Sequence, residues 1–276
     1  MEAPESAREL DRRLQRGVST HHQYEDLRVT VADVVATQML PEGSLAKGGA
    51  ALRMRLGQAS IRFTTDLDVA RATGLDGFLE AFRSNLSEGW GGFTGTARLV
   101  KRHHFPKGVP GTYLSDDVEA TLYYRRRRWT EVQVEVGHNE VGDADEADYV
   151  LAPDILDLFE RIGLPKPGRV PLMRLDYQVA QKLHAASAEG SARAHDLVDL
   201  QVIAGISMPE LSGVAVVCRR VFAYRRGQVW PPTVSGDERW ADLYEEAARG
   251  MDVIPDVDGA LAWTNDLVRK IDSADA

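Results

Sequence analysis

The run LAKGGAALRMRLGQASIRFTTDLDVA, residues 45–70, sets a glycine pair directly after a lysine, and sixteen intervening residues later two aspartates separated by one leucine. Leu45-Ala46-Lys47 reads as a short extended piece. Residues 50–56 read as an amphipathic helix that Gly57 breaks, and Asp66-Leu67-Asp68-Val69 alternates as a strand does. Residues two apart on a strand point to the same face, so Asp66 and Asp68 repel each other unless a cation lies between them. Mg²⁺ suits such a place, because it takes one or two carboxylates and leaves its other positions to water and phosphate. A solvated edge strand would explain the two acids equally well. The glycine pair shifts the balance. Gly48-Gly49 between a strand and a helix lets backbone N–H groups approach an anion closely, and the helix N-terminus favours negative charge. The spacing is not that of a Walker A loop. A glycine pair on one side and a metal on the other would grip a nucleoside triphosphate, which points to nucleotidyl transfer.

A third acid would come from a neighbouring strand. In TEVQVEVG the side chains of Glu131, Gln133 and Glu135 share one face, and Val132, Val134 and Val136 share the other. Glu135 is the expected third metal ligand and Glu131 the alternative.

The rest of the chain sets bounds. Its 276 residues, with 43% hydrophobic and 27% charged, can bury a core without staples. A single cysteine, Cys218, excludes an internal disulfide and fits a reducing cytosol. The charged N-terminus does not read as a secretory signal, and no apolar run approaches a membrane span, so a cytoplasmic protein is expected. At a net charge of −9, nucleic acid would have to meet a local basic patch. Two are visible: Lys101-Arg102-His103-His104 with Lys107, and Arg125–Arg128 on an expected strand, which would point alternately to two faces. The acidic runs at 143–160 and 237–258 read as solvated surface, with a seat for a basic partner as the alternative, and His21-His22 and His103-His104 as surface residues.

Helices are expected over 5–16, 21–40 and 75–86, and β structure over 93–136. From Pro153 the chain turns to helices punctuated by proline and glycine, with LPKPGRVP (164–171) as a linker. The expectation is an α+β fold of two lobes. A catalytic lobe, 1–165, carries a small mixed sheet, and an all-helical lobe, 166–276, completes a nucleotide cleft. In the helical part Lys182 lies at the edge of an apolar stripe with Leu175 and Val179, where it either snorkels or reaches a phosphate. Asp196 falls between Leu200 and Ile203 on an inward face and needs a partner, for which Arg193 stands three residues away.

The stretches KGGAALRMRLG and RFTTDLDVA resemble the signature of the nucleotidyltransferase superfamily, and in particular its AbiEii/AbiGii branch, which includes the MenT toxins. That branch shows K-G-G-T-A-L-R followed by R-x-[ST]-x-D-[LI]-D. Here Ala50 stands where threonine or serine is usual, a departure that touches one hydroxyl contact. A second match lies in LDYQVAQKLHA (175–185) and RAHDLVDL (193–200), so the resemblance runs from about 20 to 205. It implies the toxin of a toxin–antitoxin or phage-defence pair that transfers NMP from an NTP to an acceptor such as the 3′ end of tRNA. A cognate antitoxin protein would be its partner. It implies Mg²⁺ on Asp66 and Asp68, and phosphates held by Lys47, Gly48, Gly49, Lys182 and Arg62. Asp196 would act as a base or as an orienting group. A protein or small-molecule acceptor, or a catalytically inactive nucleotide-binding module, is the alternative.

Overall fold

The computed structural model describes residues 2–58, 62–102 and 115–274. The chain forms two compact units, residues 1–59 with 63–173, and residues 60–62 with 174–276. The first is α+β and carries a seven-stranded mixed sheet. Its elements in chain order are α1 (Ala7–Gln15), α2 (His21–Gln38), β1 (Ser44–Lys47), α3 (Gly48–Leu56), β2 (Asp66–Arg71), α4 (Leu75–Glu88), β3 (Phe93–Lys101), β4 (Asp116–Tyr124), β5 (Arg127–His138), β6 (Ala147–Val150), α5 (Pro153–Ile162) and β7 (Val170–Met173). The strand order is β3-β4-β5-β2-β1-β7-β6. β2 runs parallel to β5 and antiparallel to β1, so it lies in the interior of the sheet.

Local chemistry explains the elements. Thr20 and Gln23 form a reciprocal capping box at the start of α2. Its midsection, Val31 to Ala36, is buried almost without interruption. α5 opens on Pro153, whose missing N–H costs nothing in a first turn, and closes on Gly163 in the left-handed region. β4 alternates buried and half-buried residues along its length, as a strand with one covered face should. Val118, Ala120 and Leu122 of β4 pack with Val132, Val134 and Val136 of β5, Val34 and Val35 of α2, and Phe78 and Phe82 of α4 in one core.

The second unit is helical: α6 (Leu175–Ala186), α7 (His195–Ser207), α8 (Leu211–Arg225), α9 (Trp240–Ala248) and α10 (Val257–Ser273). Ala186, Leu197, Val198, Trp240, Tyr244 and Ala260 share a core there. Asp256 caps α10 by accepting from the Gly259 N–H at 2.8 Å.

Several expectations are corrected. The segment 164–171 is not all linker, because Val170–Met173 form β7, which lies parallel to β1 and antiparallel to β6. Arg125 and Arg126 are not strand residues. Their φ angles of 46° and 68° make them the two-residue turn between β4 and β5, the left-handed geometry that matches the twist of a hairpin. Only Arg127 and Arg128 lie on β5. The acidic run 143–160 is partly used inside the fold. Asp143 accepts from the Glu140 N–H, Asp148 pairs with Arg55 at 2.8 Å, and Asp154 accepts from the Gln58 N–H. His103, His104 and Lys107 lie outside the described residues.

Candidate active site

β1 delivers Lys47 straight into α3, which starts at Gly48 rather than at residue 50, so both glycines belong to its first turn. Gly48 has a φ of 66°, and a Cβ there would meet Asp68 Oδ2 at 2.0 Å. Both facts demand glycine, the first by backbone conformation and the second by space. The carboxylate of Asp68 therefore lies against the amide-rich start of a helix, where the dipole favours negative charge.

The sheet register sets a row of ionisable side chains across four strands. Lys47 pairs with Asp68, Asp68 with Glu135, and Glu135 with Asp117. Asp66 stands two residues before Asp68 on the same face, opposite Gln133, and accepts from Thr65 Oγ1 at 3.3 Å. The Lys47 ammonium reaches along this face to the backbone of Gly137, where an added Cβ would stand 3.1 Å from Nζ. Burial pushes the Glu135 carboxyl up, and the charges of Asp68, Asp66 and Asp117 push it further, with Lys47 opposing. One cation thus faces four acids, which is the electrostatic signature of a surface that gains from binding another positive charge. Glu131 pairs with Thr121, beyond the end of β2, so Glu135 is the acid the register sets beside the aspartates. Among the described residues no three His, Cys, Asp or Glu side chains converge as a ready-made metal cage. The expected set of Asp66, Asp68 and Glu135 is adjacent by register but not gathered on one point. Mg²⁺, which holds to one or two carboxylates and finishes its shell with water and phosphate, fits such an open arrangement.

Two further residues shape this corner. Arg53, buried in α3, donates from Nη2 to the Thr64 carbonyl at 2.7 Å, and from Nη1 to Thr30 Oγ1 at 3.1 Å. It ties the chain entering β2 to both α3 and α2. Asp33 of α2 is buried, and its Oδ2 has no hydrogen-bond partner. Burial raises its carboxyl to about 7, Arg53 opposes the rise, and the charges of Asp66 and Asp26 add to it. Neither residue stood out in the sequence as a site residue. For Asp33 the signal was there: an acid inside the apolar helical run VTVADVVAT.

In the helical unit, Lys182 is buried and held by two carboxylates, Asp196 Oδ1 at 2.9 Å and Asp199 Oδ2 at 2.6 Å. Arg193 Nε donates to Asp196 Oδ2 at 2.8 Å. Arg62, which the fold groups with this unit, pairs with Asp199 at 3.3 Å. Desolvation alone would lower the Lys182 pKa, but Asp196 and Asp199 outweigh it and the ammonium is favoured. Desolvation would raise Asp196, but Lys182 and Arg193 hold it below the usual carboxylate range. Both Asp196 oxygens are thus engaged by cations and the residue is fully buried. That geometry orients Lys182, and the two cations keep Asp196 ionised and weakly basic. Asp199, also within RAHDLVDL, belongs to the network equally, a residue beyond the Asp196 expected from the sequence.

A strand running directly into a glycine-started helix, with same-face carboxylates on the next strand and an acid on its parallel neighbour, defines the nucleotidyltransferase class of fold. The structure agrees with a solved member: MenT4, a nucleotidyltransferase toxin from Mycobacterium tuberculosis H37Rv, superposes with a TM-score of 0.54 at 16% identity, covering 98% of this chain and 97% of that one. No curated protein matches the sequence. The model of the family described as nucleotidyl transferase AbiEii toxin, type IV TA system, matches residues 47–264, well over half of the chain. The protein belongs to the AbiEii nucleotidyltransferase toxin family, whose type IV toxin–antitoxin systems imply an antitoxin partner. Among the described residues no helix is long and apolar enough to cross a membrane.

Proposed function

We propose that the chain is a Mg²⁺-dependent enzyme that transfers NMP from an NTP to an RNA acceptor, the 3′ end of tRNA being the acceptor of choice. The observation that carries this reading is the row Lys47–Asp68–Glu135, with Asp66 beside it and Gly48 against Asp68. Asp66 and Asp68 would hold the metal, with Glu135 next in line, and a bound Mg²⁺ would neutralise phosphate charge and lower the pKa of an attacking hydroxyl. Lys47 and the first-turn amides of α3, at Gly48 and Gly49, offset charge on the phosphates. Arg53 holds the entry to β2 so that the two aspartates keep their register. The acceptor hydroxyl oxygen bonds to the α-phosphorus, the bond from that phosphorus to the β-phosphate oxygen breaks, and pyrophosphate leaves. The hydroxyl proton passes to solvent. Such chemistry asks for positioning and electrostatics and little else. In the helical unit, Asp196 and Asp199 orient the Lys182 ammonium, which with Arg62 would give that unit its own pair of phosphate-directed cations. Membership of a toxin family, and the exposed guanidinium groups of Arg125–Arg128, support RNA as the acceptor.

Intact-mass measurement of purified tRNA incubated with protein, Mg²⁺ and each NTP in turn tests this. The expected result is a gain of one or more nucleotide residues with at least one NTP, lost on addition of EDTA. An unchanged tRNA mass with all four, beside a protein whose own mass rises, would move the acceptor to protein.

A further inference from the structure

The sequence CRRVFAYRRGQVW, 218–230, carries four arginines and no acid in a chain of net charge −9, and aromatic residues are spaced among them. The fold turns much of this charge outward. On α8 and the turn after it Arg219, Arg220, Tyr224 and Arg226 are exposed, and Val229 is 84% exposed. At the end of α8 the surface opens into a cavity of about 520 Å³ lined by Arg219, Phe222, Arg226, Val229, Trp230 and Asp272. Its apolar wall is held in place. Phe222 is buried and meets the Trp230 ring edge-on at 5.3 Å, and it meets His184 from another side at 4.9 Å. Trp230 Nε1 donates to Asp272 at 2.9 Å, which fixes the plane of the half-buried indole. Asp272 also stands 3.8 Å from Arg219, so one acid faces two cations in the cavity.

A fixed aromatic wall beside arginines is the combination that takes an unstacked base and the phosphates on either side of it. A cavity this size admits a splayed base but not a duplex. An acidic peptide would use the charge and leave the indole and Val229 idle. We infer that the α8 surface formed by Arg219, Phe222, Arg226, Val229 and Trp230 binds single-stranded RNA, seating one base against Trp230 with its flanking phosphates on Arg219 and Arg226. This rests on the reading of RNA as the acceptor and assigns a surface to it.

The test is fluorescence anisotropy of a 5′-fluorescein single-stranded 12-mer RNA against the full-length protein over a range of salt. Wild type is compared with the double variant Arg219→Ala, Arg226→Ala and with Trp230→Leu. NTP binding by calorimetry reports folding in every case. Two lost phosphate contacts lower the slope of log affinity against log salt by about 1.4. Loss of one stacked base weakens binding about 10-fold with little change of slope. Variants that fold, bind NTP and bind RNA with the wild-type affinity and slope, while wild type still labels tRNA, overturn the surface and leave the acceptor reading standing. A wild type that binds NTP but neither binds nor labels RNA overturns the acceptor reading and the surface with it. Polyglutamate competing as well as unlabelled RNA overturns the base-stacking assignment.

Discussion

At the scale of single residues the site is built from contacts that have no slack. Gly48→Ala drives a methyl carbon to 2.0 Å from Asp68 Oδ2, far inside van der Waals contact, at a backbone angle that alanine avoids. The expected result is a loss of transfer of about 10²-fold or more, from displaced phosphate donors, with a cost of about 1–2 kcal/mol in stability. Kinetics and urea melts of the purified variant measure the two separately. Asp33→Asn acts in the opposite sense. The fold favours the protonated carboxyl, so the contribution of Asp33 is full below its ordinary 3.8 and is lost as pH rises through about 7. An amide that carries no charge escapes that loss. Asp33→Asn should raise Tm at pH 8 and leave it nearly unchanged at pH 4. A variant melting lower than wild type at pH 8 would show that the buried carboxylate has a compensating partner. Asp66, Asp68 and the glycine pair were legible in the sequence because strand alternation and glycine chemistry act over a few residues. Glu135 was legible for the same reason, by the alternation of TEVQVEVG. Its pairing with Asp68 rather than with Asp66 is a matter of register, which only the sheet decides.

At the scale of elements, α6 and α7 are joined by a buried network of Lys182, Asp196 and Asp199. Lys182→Met leaves two buried carboxylates without their shared cation and should cost about 3–5 kcal/mol, read by chemical denaturation. A loss under 1 kcal/mol would mean that Arg193 and Arg62 alone satisfy the two acids. The long helices were legible from 3.6-residue periodicity, and α2 and α4 fall within two residues of expectation. β7 was not, because VPLM follows Pro167-Gly168 and itself contains Pro171, so it carries no strand signal of its own and becomes a strand only through pairing with β1 and β6. The β4–β5 turn was hidden in a different way. Arg125-Arg126 adopts a conformation that glycine or asparagine usually announces, and four consecutive arginines read as one uniform strand. Asp196 and Arg193 are legible as partners three apart in sequence, whereas Asp199 joins the network through Lys182 and Arg62, contacts 17 and 137 residues away.

At the scale of the whole molecule, two buried histidines tie stability to pH with a definite sign. Burial holds His184 and His195 neutral, with values lowered from 6.5 to about 4. The stability they supply is complete above 6.5 and is lost as pH falls towards 4. Asp33 opposes them over nearly the same window. Each histidine puts about one extra proton on the unfolded chain near pH 5, about 1.4 kcal/mol of lost stability per pH unit of acidification, and Glu135, whose carboxyl burial also raises, joins Asp33 in opposing them. Asp196, held below 3.8, extends the loss to lower pH. Denaturant titrations from pH 7 to 4 of wild type beside the double variant His184→Gln, His195→Gln check the histidine share, and a variant that loses stability on acidification as steeply as wild type would contradict it. The central claim is that the protein moves a nucleotidyl group. Incubation with tRNA, Mg²⁺ and NTP labelled with ³²P at either the α or the γ phosphate, beside the double variant Asp66→Ala, Asp68→Ala, tests it most directly. The expected result is α label retained on tRNA, γ label released as pyrophosphate, and neither with the variant. Retention of γ label on the acceptor, or transfer undiminished in the variant, would contradict it.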